Sequence, residues 1–421
     1  MDYQQVVTTI ENSHRFGKAS GYEVSSELLE VLGHPEAGKH IIHIAGTNGK
    51  GSTAVYVSNI LQAAGFCVGM FTSPHLIDFT ERIQVNGQQI PQQDVVRLGE
   101  RLLSLPLQLE PTMFDHCLAM ALLYYQEQEC DFIVLETGLG GRLDSTNAIG
   151  VIPDVSIITR IGFDHMAYLG HTLTAIAGEK AGILKTGTKA VLAVNDMEAM
   201  AVLQHTCQQK NIRYYDLNQD SDWGVRAFVE AHRDAILPGK YQVENAMNAV
   251  AAMYLLLEKN AFFGLVSGEE EFRQLLLRGL RASFWAGRME QLEDDPVVIV
   301  DGAHNPQGVV ALRESIEERF PDQKVVFLMA VMADKDYIQM IEELLPIAAH
   351  FFTVTVSSER ALQGSELAKR IRNQDVPADY IEDVERAYEM AKEYGRTYHM
   401  PVVAFGSLYF IGSLLEKVKS R

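Results

Sequence analysis

Basic residues are in short supply. Lysine and arginine total 36 against 55 aspartates and glutamates, a net charge of −19. A nucleic-acid surface needs a basic face, so nucleic acid is excluded as a general partner. Any anionic substrate must be held by a local cluster of donors working against the overall field. Cysteine is scarce too. The four, Cys67, Cys117, Cys130 and Cys207, show no C-x-x-C spacing and read as reduced, partly buried thiols of a cytoplasmic protein. No uninterrupted apolar run approaches the roughly 20 residues that span a bilayer, so no membrane role is expected. The opening "MDYQQVVTTIENSH" is polar and mildly acidic, unlike a signal peptide. Internal repeats and low-complexity tracts are absent, and no dimer seam stands out, so a monomer is the default.

What is present is the composition of a soluble globular chain, 47% hydrophobic and 22% charged. A length of 421 residues suggests two or three domains. Short β-rich runs alternate with helical patterns. "HIIHIA" (40–45), "FCVGMF" (66–71), "DFIVLE" (131–136), "VSIITR" (155–160) and "TKAVLAV" (188–194) read as strands. "STAVYVSNILQAAG" (52–65), "TLTAIAGEKAGIL" (172–184) and "VENAMNAVAAMYLLLEKN" (243–260) read as helices. This alternation predicts an α/β fold with a mostly parallel sheet and helices on both faces. The pattern restarts after the turn-rich "GRMEQLEDDP" (287–296), with "VVIVDG" (297–302), "KVVFLMA" (324–330), "HFFTVTV" (350–356) and "PVVAFG" (401–406). The expected organisation is a domain over 1–290, a linker near 286–296 and a smaller Rossmann-like α/β domain over 297–421, with the active site in the cleft between them.

"HIAGTNGKGSTAV" (43–55) stands between a predicted strand and a predicted helix. It departs from the common phosphate-loop spelling G-x-x-x-x-G-K-[ST]. Gly46, Gly49 and Gly51 still let the backbone approach phosphate oxygens. Lys50 can reach terminal phosphates, and Ser52 and Thr53 offer hydroxyls to Mg²⁺ or to the helix start. Loop chemistry alone leaves kinase, NTPase and ligase open.

Other polar groups fall at strand ends, where open α/β sheets place their sites. Glu136, in "LETGLGGRLDSTN" (135–147), can ligate Mg²⁺ or cap a neighbouring helix, and Asp144 to Asn147 form a polar cluster. Asp164 and His165 follow another strand. Magnesium prefers oxygen, so spacing alone makes His165 structural more often than a ligand. Lys180, alone on a helix, reads as solvated. Ser73, His75 and Arg82 lie in "FTSPHLIDFTERIQVNG" (71–87), where Arg82 can pair with a carboxylate or simply face solvent. "VDGAHNPQG" (300–308) repeats the strand–turn–helix geometry, with a helix start at Pro306. There Asp301 can bond a ribose hydroxyl and His304 can face a phosphate, with Arg288 of "AGRME" within reach.

Taken in order, "GTNGKGST", "FTSPHL…ERI", "ETGLGGRLDSTN", "GFDHMAYLGHTLTAIAGEKAGI", "GKYQVENAMNA", "GRME", "DGAHNP" and "DKD" (334–336) resemble the folylpolyglutamate synthase/dihydrofolate synthase family of Mur-type amide ligases. The resemblance covers nearly the whole chain, and the unusual loop spelling is that family's own form. It implies that ATP phosphorylates a folate carboxylate and that the amine of L-glutamate attacks the acyl phosphate. A carboxylate repels nucleophiles and has a poor leaving group; phosphorylation removes both faults.

The resemblance also implies roles. Gly46, Thr47, Asn48, Gly49, Lys50, Gly51, Ser52 and Thr53 form the ATP loop, and Asn245, Arg288 and Asp301 are further ATP contacts. Ser52, Ser73, Glu136 and His165 bind magnesium, against the reading of His165 from spacing. Lys180 matches a lysine the family carbamylates, which turns a cation into a carboxylate-like Mg²⁺ ligand. Arg82, Asp144 and Ser145 lie on the folate side. Arg288, His304 and Ser407 match positions for the incoming glutamate. Lys50, Lys180 and His304 are the catalytic candidates.

Three departures stand out. Where the family often has His-Gln, this chain has Tyr241-Gln242. Its "FE" is here Phe114-Asp115. Members with both activities tend to read "DATN" where this chain reads "DSTN", so Ser145 leans towards folylpolyglutamate synthase alone. The alternative is a bifunctional enzyme that also joins glutamate to dihydropteroate. A peptidoglycan-precursor ligase would carry a further N-terminal domain, and an NTP-driven switch would not need both halves spelled as a ligase.

Overall fold

The computed structural model describes residues 1–13, 22–219, 223–258, 266–358 and 360–419. The last two residues of the helix expected over 243–260 lie outside them. The chain divides into two compact units. The first comprises Met1–Ile236 and Val243–Ser283, and the second Leu237–Gln242 and Phe284–Arg421.

The first unit is built on eight strands: β1 (His40–Ala45), β2 (Val68–Phe71), β3 (Ile83–Val85), β4 (Gln88–Gln89), β5 (Phe132–Glu136), β6 (Val155–Ile158), β7 (Lys189–Leu192) and β8 (Arg213–Asp216). Their order is β4-β3-β2-β5-β1-β6-β7-β8. The six from β2 to β8 run parallel, and the β3–β4 hairpin adds an antiparallel edge. β5 is buried along its whole length, so both of its faces are covered. Ile133 and Leu135 join an apolar cluster with Cys117, Leu118 and Leu122 of the helix Met113–Glu127. Side chains alternate along a strand, so Phe132 and Val134 face the opposite layer. A second cluster joins Ala45, Ile158 and Leu192 to Ile176, Ala177 and Leu203. The strands read as continuous apolar runs for this reason.

β1 lies at the centre, between β5 and β6. Successive crossovers go to opposite sides of it, so the loop after Ala45 opens at a topological switch point. The helix Lys50–Ala63 follows at once, with Gly49 as N-cap.

The second unit has β9 (Glu290–Asp294), β10 (Val297–Val300), β11 (Val325–Met329), β12 (Ala348–Thr353), β13 (Ala378–Tyr380) and β14 (Val402–Phe405), in the order β13-β12-β11-β14-β10-β9. All pairs are parallel except β9–β10. The stretch 287–296, expected to be only a polar linker, thus contains an edge strand. Its side chains are polar because one side of it meets no further strand. The helix Pro306–Arg319 starts at Pro306, as its sequence suggests; Asn305 caps it by accepting from Gly308 N at 2.7 Å.

Candidate active site

In the first unit the ends of β1, β2, β5 and β6 carry the polar residues. The 46–53 loop is braced from β6. Arg160 O accepts from Thr47 N (2.9 Å) and Asn48 N (3.2 Å), and Thr159 Oγ1 donates to Asn48 O at 2.8 Å. Thr47 Oγ1 donates to Gly162 O and accepts from Gly162 N, both at 3.0 Å. The amides of Thr47 and Asn48 therefore shape the loop. Those of Gly49, Lys50 and Gly51 lie at the first helical turn, which has no intrahelical acceptors for them. Gly49 has φ +89°, and a Cβ there would lie 2.1 Å from Asn245 Oδ1. Only glycine admits both the backbone conformation and that contact. Asn245 is thus held against the loop, and its carbonyl accepts from Thr53 Oγ1 at 3.5 Å.

Lys50 Nζ stands 3.8 Å from Glu136 Oε1 and donates to Thr47 O at 3.3 Å. Glu136 Oε2 accepts from Ser73 N at 3.2 Å, bringing the end of β2 to the same place. Lys180, on the helix Leu173–Ala181, is buried and donates to Gly46 O at 2.7 Å. Its pKa is pushed down to about 7, first by burial and then by Lys50, with Asp164 and Asp144 opposing. The expectation of a solvated lysine fails because the helix turns Lys180 inward onto the loop. Gly46, Lys50, Ser73, Glu136, Lys180 and Asn245 therefore form one constellation with the loop.

His165 has φ +51° and precedes the four-residue helix Met166–Leu169. Its imidazole is half-exposed, with Nε2 3.9 Å from Asp164 Oδ1.

Among the described residues, no group of three or more His, Cys, Asp and Glu gathers to hold a metal ion. The donors beside the loop are instead one carboxylate and the hydroxyl-bearing Ser52 and Ser73. That oxygen set fits a hard divalent cation whose remaining positions go to phosphate and water. An unmodified Lys180 adds no such oxygen.

Beyond the end of β2, Arg82 is buried and its Nε donates to His75 Nδ1 at 2.8 Å. Burial and then Arg82 push the His75 pKa down to about 4, so the ring is a neutral acceptor at neutral pH. Sequence reading noted His75 but gave it no role. Asp144 is buried and holds its own turn, accepting from Leu139 N (2.8 Å), Thr146 N (3.0 Å) and Thr146 Oγ1 (2.5 Å). Burial raises its pKa. Ser145 Oγ donates to Asp115 Oδ1 at 2.7 Å.

In the second unit, Arg288, Asp301, His304 and Ser407 meet where β10 and β14 end. Asp301 is buried, which raises its pKa despite Arg288 nearby. Its Oδ2 accepts from Tyr241 Oη (2.6 Å) and Met289 N (2.9 Å), and Oδ1 from Ala303 N (2.8 Å). Much of its acceptor capacity is thus spent on the fold, and the departure at Tyr241 supplies one of the donors. A Cβ on Gly302 would lie 2.0 Å from Arg288 Nη1, so glycine there makes room for the guanidinium. His304 Nδ1 lies 2.8 Å from Gly302 O. A carbonyl only accepts, so Nδ1 carries the proton. Gly406 N donates to Ala303 O at 2.9 Å, and the buried Ser407 follows.

Two family profiles match in order, the Mur ligase middle domain over residues 44–253 and the Mur ligase glutamate ligase domain over 287–408. The chain is 34% identical over 440 residues to the dihydrofolate synthase/folylpolyglutamate synthase of Bacillus subtilis, with 99% of each chain covered. It is 32% identical over 384 residues to the folylpolyglutamate synthase of Lacticaseibacillus casei, covering 86% of this chain and 87% of the relative. Among solved structures, Mycobacterium tuberculosis folylpolyglutamate synthase complexed with ADP and AMPPCP superposes with a TM-score of 0.86 at 27% identity, over 99% of both chains. Escherichia coli FolC in complex with DHPP and ADP also gives 0.86, at 26% identity, over 100% of this chain and 98% of that one. A loop, a strand-end carboxylate and a buried lysine gathered in one unit, with both profiles matched in sequence order and a full-length relative at 34% identity, place this chain in the folylpolyglutamate synthase/dihydrofolate synthase family of Mur ligases.

Proposed function

We propose that this chain is an ATP-dependent ligase that adds L-glutamate to the side-chain carboxylate of a reduced folate, a folylpolyglutamate synthase. The observation that carries the reading is the meeting of Lys50, Glu136 and Lys180 at the 46–53 loop. It supports nucleotide binding beside a carboxylate, and the names borne by relatives matched over most of their length supply the substrate class. A cytoplasmic protein acting as a monomer fits this reading.

In the proposed cycle, the helix start at Gly49–Gly51 and the Lys50 ammonium hold the phosphates of ATP. Asn245, Arg288 and Asp301 contribute further nucleotide contacts. Ser52, Ser73, Glu136, His165 and a carbamylated Lys180 would hold Mg²⁺, which supplies charge neutralisation at the phosphates. Lys180 is suited to carbamylation. With a pKa near 7 a large share of it is neutral amine, which can add to CO₂. Arg82, aimed by His75, faces a carboxylate of the folate, with Asp144 and Ser145 framing that side. Once the acyl phosphate forms, Arg288, His304 and Ser407 receive glutamate, and its amine displaces phosphate.

A second reading is the bifunctional enzyme that also accepts dihydropteroate, and the name of the Bacillus subtilis relative favours keeping it. ATP turnover tests the general proposal. It should require both glutamate and a folate or dihydropteroate. Hydrolysis indifferent to both would point to an NTP-driven switch.

A further inference from the structure

The four cysteines are free thiols, and two of them touch. Cys67 Sγ lies 3.7 Å from Cys130 Sγ. The backbone fixes both positions. Cys67 comes just before β2, and Cys130 just before β5. The two strands are already joined there. Cys67 O accepts from Asp131 N (2.8 Å) and Phe132 N (3.2 Å), and Cys67 N donates to Asp131 Oδ2 at 2.8 Å. Cys130 also belongs to the turn that ends the helix Met113–Glu127. Glu129 has φ +52° in that turn, and Cys130 N donates to Tyr125 O at 3.0 Å.

Val68 pairs with Phe132, so Cys67 stands opposite Asp131 and one residue off from Cys130. Neighbouring strands lie about 4.8 Å apart, and each residue rises about 3.3 Å. That offset puts the two Cα atoms roughly 6 Å apart, within the span of a disulfide. The thiols differ in access. Cys67 is partly exposed and Cys130 is buried. Burial, and then Cys67 beside it, push the Cys130 thiol up to about 12, so it keeps its proton at neutral pH. An oxidant from solvent therefore meets Cys67 first, with Cys130 in place behind it.

We propose that Cys67 and Cys130 are a reversible oxidation site, closed to a disulfide by a peroxide and reopened by a dithiol that is itself oxidised to a disulfide. The Cys67 sulfur attacks a peroxide oxygen, the O–O bond breaks, and a sulfenic acid and water result. The Cys130 sulfur then attacks the Cys67 sulfur. The S–O bond breaks, and the hydroxyl leaves with the Cys130 proton as water. The two thiols give up two electrons, and one peroxide takes them. The bond ties β2 to β5 and spares Cys67 from irreversible oxidation. It forms at the N-terminal ends of these strands, the edge opposite the phosphate loop, so it involves none of the residues assigned to the reaction.

The test uses the full chain, first reduced and then treated with hydrogen peroxide. Peptide mapping should find Cys67 joined to Cys130, and dithiothreitol should restore both thiols. The two lie 63 positions apart, and closing so long a loop restricts the unfolded chain. The thermal midpoint should therefore rise by about 5 °C. Cys130→Ala leaves Cys67 without a partner. Its Cys67 should go on to the sulfinic acid, which dithiothreitol does not reverse, and its midpoint should not rise. If that variant fails to fold, mapping of the wild type decides alone. Both thiols left free, while a cysteine-bearing peptide in the same tube is oxidised, would overturn the proposal. So would Cys67 driven to the sulfinic acid beside an unmodified Cys130, or a disulfide that joins two copies of the chain instead.

Discussion

Lys180 is held near the midpoint of its titration at neutral pH, and Lys50 approaches the only carboxylate beside the phosphate loop that the described ion pairs give it. These two lysines set the chemistry at the residue scale. Lys50→Ala should abolish ATP turnover and leave the circular-dichroism spectrum and melting curve intact, because it removes charge at the phosphates and little of the core. A folded variant with wild-type rates would remove the loop from the mechanism. Lys180→Ala should lose nearly all activity and regain part of it with added short carboxylic acids, which replace the carbamate oxygens. Full activity without such rescue would make the carbamate unnecessary. The histidines give a pH prediction. Folded His43 and His75 titrate near 3 and 4, against an ordinary value of 6.5. Between pH 4 and 6.5 the unfolded chain therefore binds more protons, and stability falls as pH drops through that window. His75→Gln should flatten the fall, as read from urea midpoints at pH 7 and pH 5. An unchanged slope would mean that His75 is not buried neutral.

One glycine sets a close approach at the scale of elements. Gly279, on the helix Glu269–Arg281, faces the helix Lys50–Ala63, and a Cβ there would lie 2.4 Å from Ile60 Cα. Backbone cannot swing aside, so Gly279→Ala should cost about 1–3 kcal/mol in urea unfolding. A smaller loss would show that the helix pair adjusts freely. The parallel strands were legible in sequence because burial on both faces makes them short apolar runs: β1 is "HIIHIA", and β5 lies within "DFIVLE". The β3–β4 hairpin, β8, β9 and β13 were not, because edge strands of two to five residues keep polar side chains and carry little periodicity. Glu136 and the glycine loop stood out by motif, and their meeting with Lys180 came only with the fold. So did the link between Tyr241 and Asp301, 60 residues apart. Nothing local in either segment signals its partner.

For the molecule as a whole, each unit presents its polar residues at the C-terminal ends of parallel strands. The first gathers the phosphate loop, and the second gathers Arg288, Asp301, His304 and Ser407. A chain carrying −19 must bind anions through such local donors. The substrate assignment is the central claim, and product mass tests it most directly. The enzyme would be incubated with Mg-ATP and L-glutamate, in parallel with a reduced folate monoglutamate and with dihydropteroate. Added glutamyl units on the folate alone are the predicted result. Products from both acids would make the enzyme bifunctional and show that Ser145 does not exclude dihydropteroate. No glutamylated product from either, with ATP still consumed, would contradict the account.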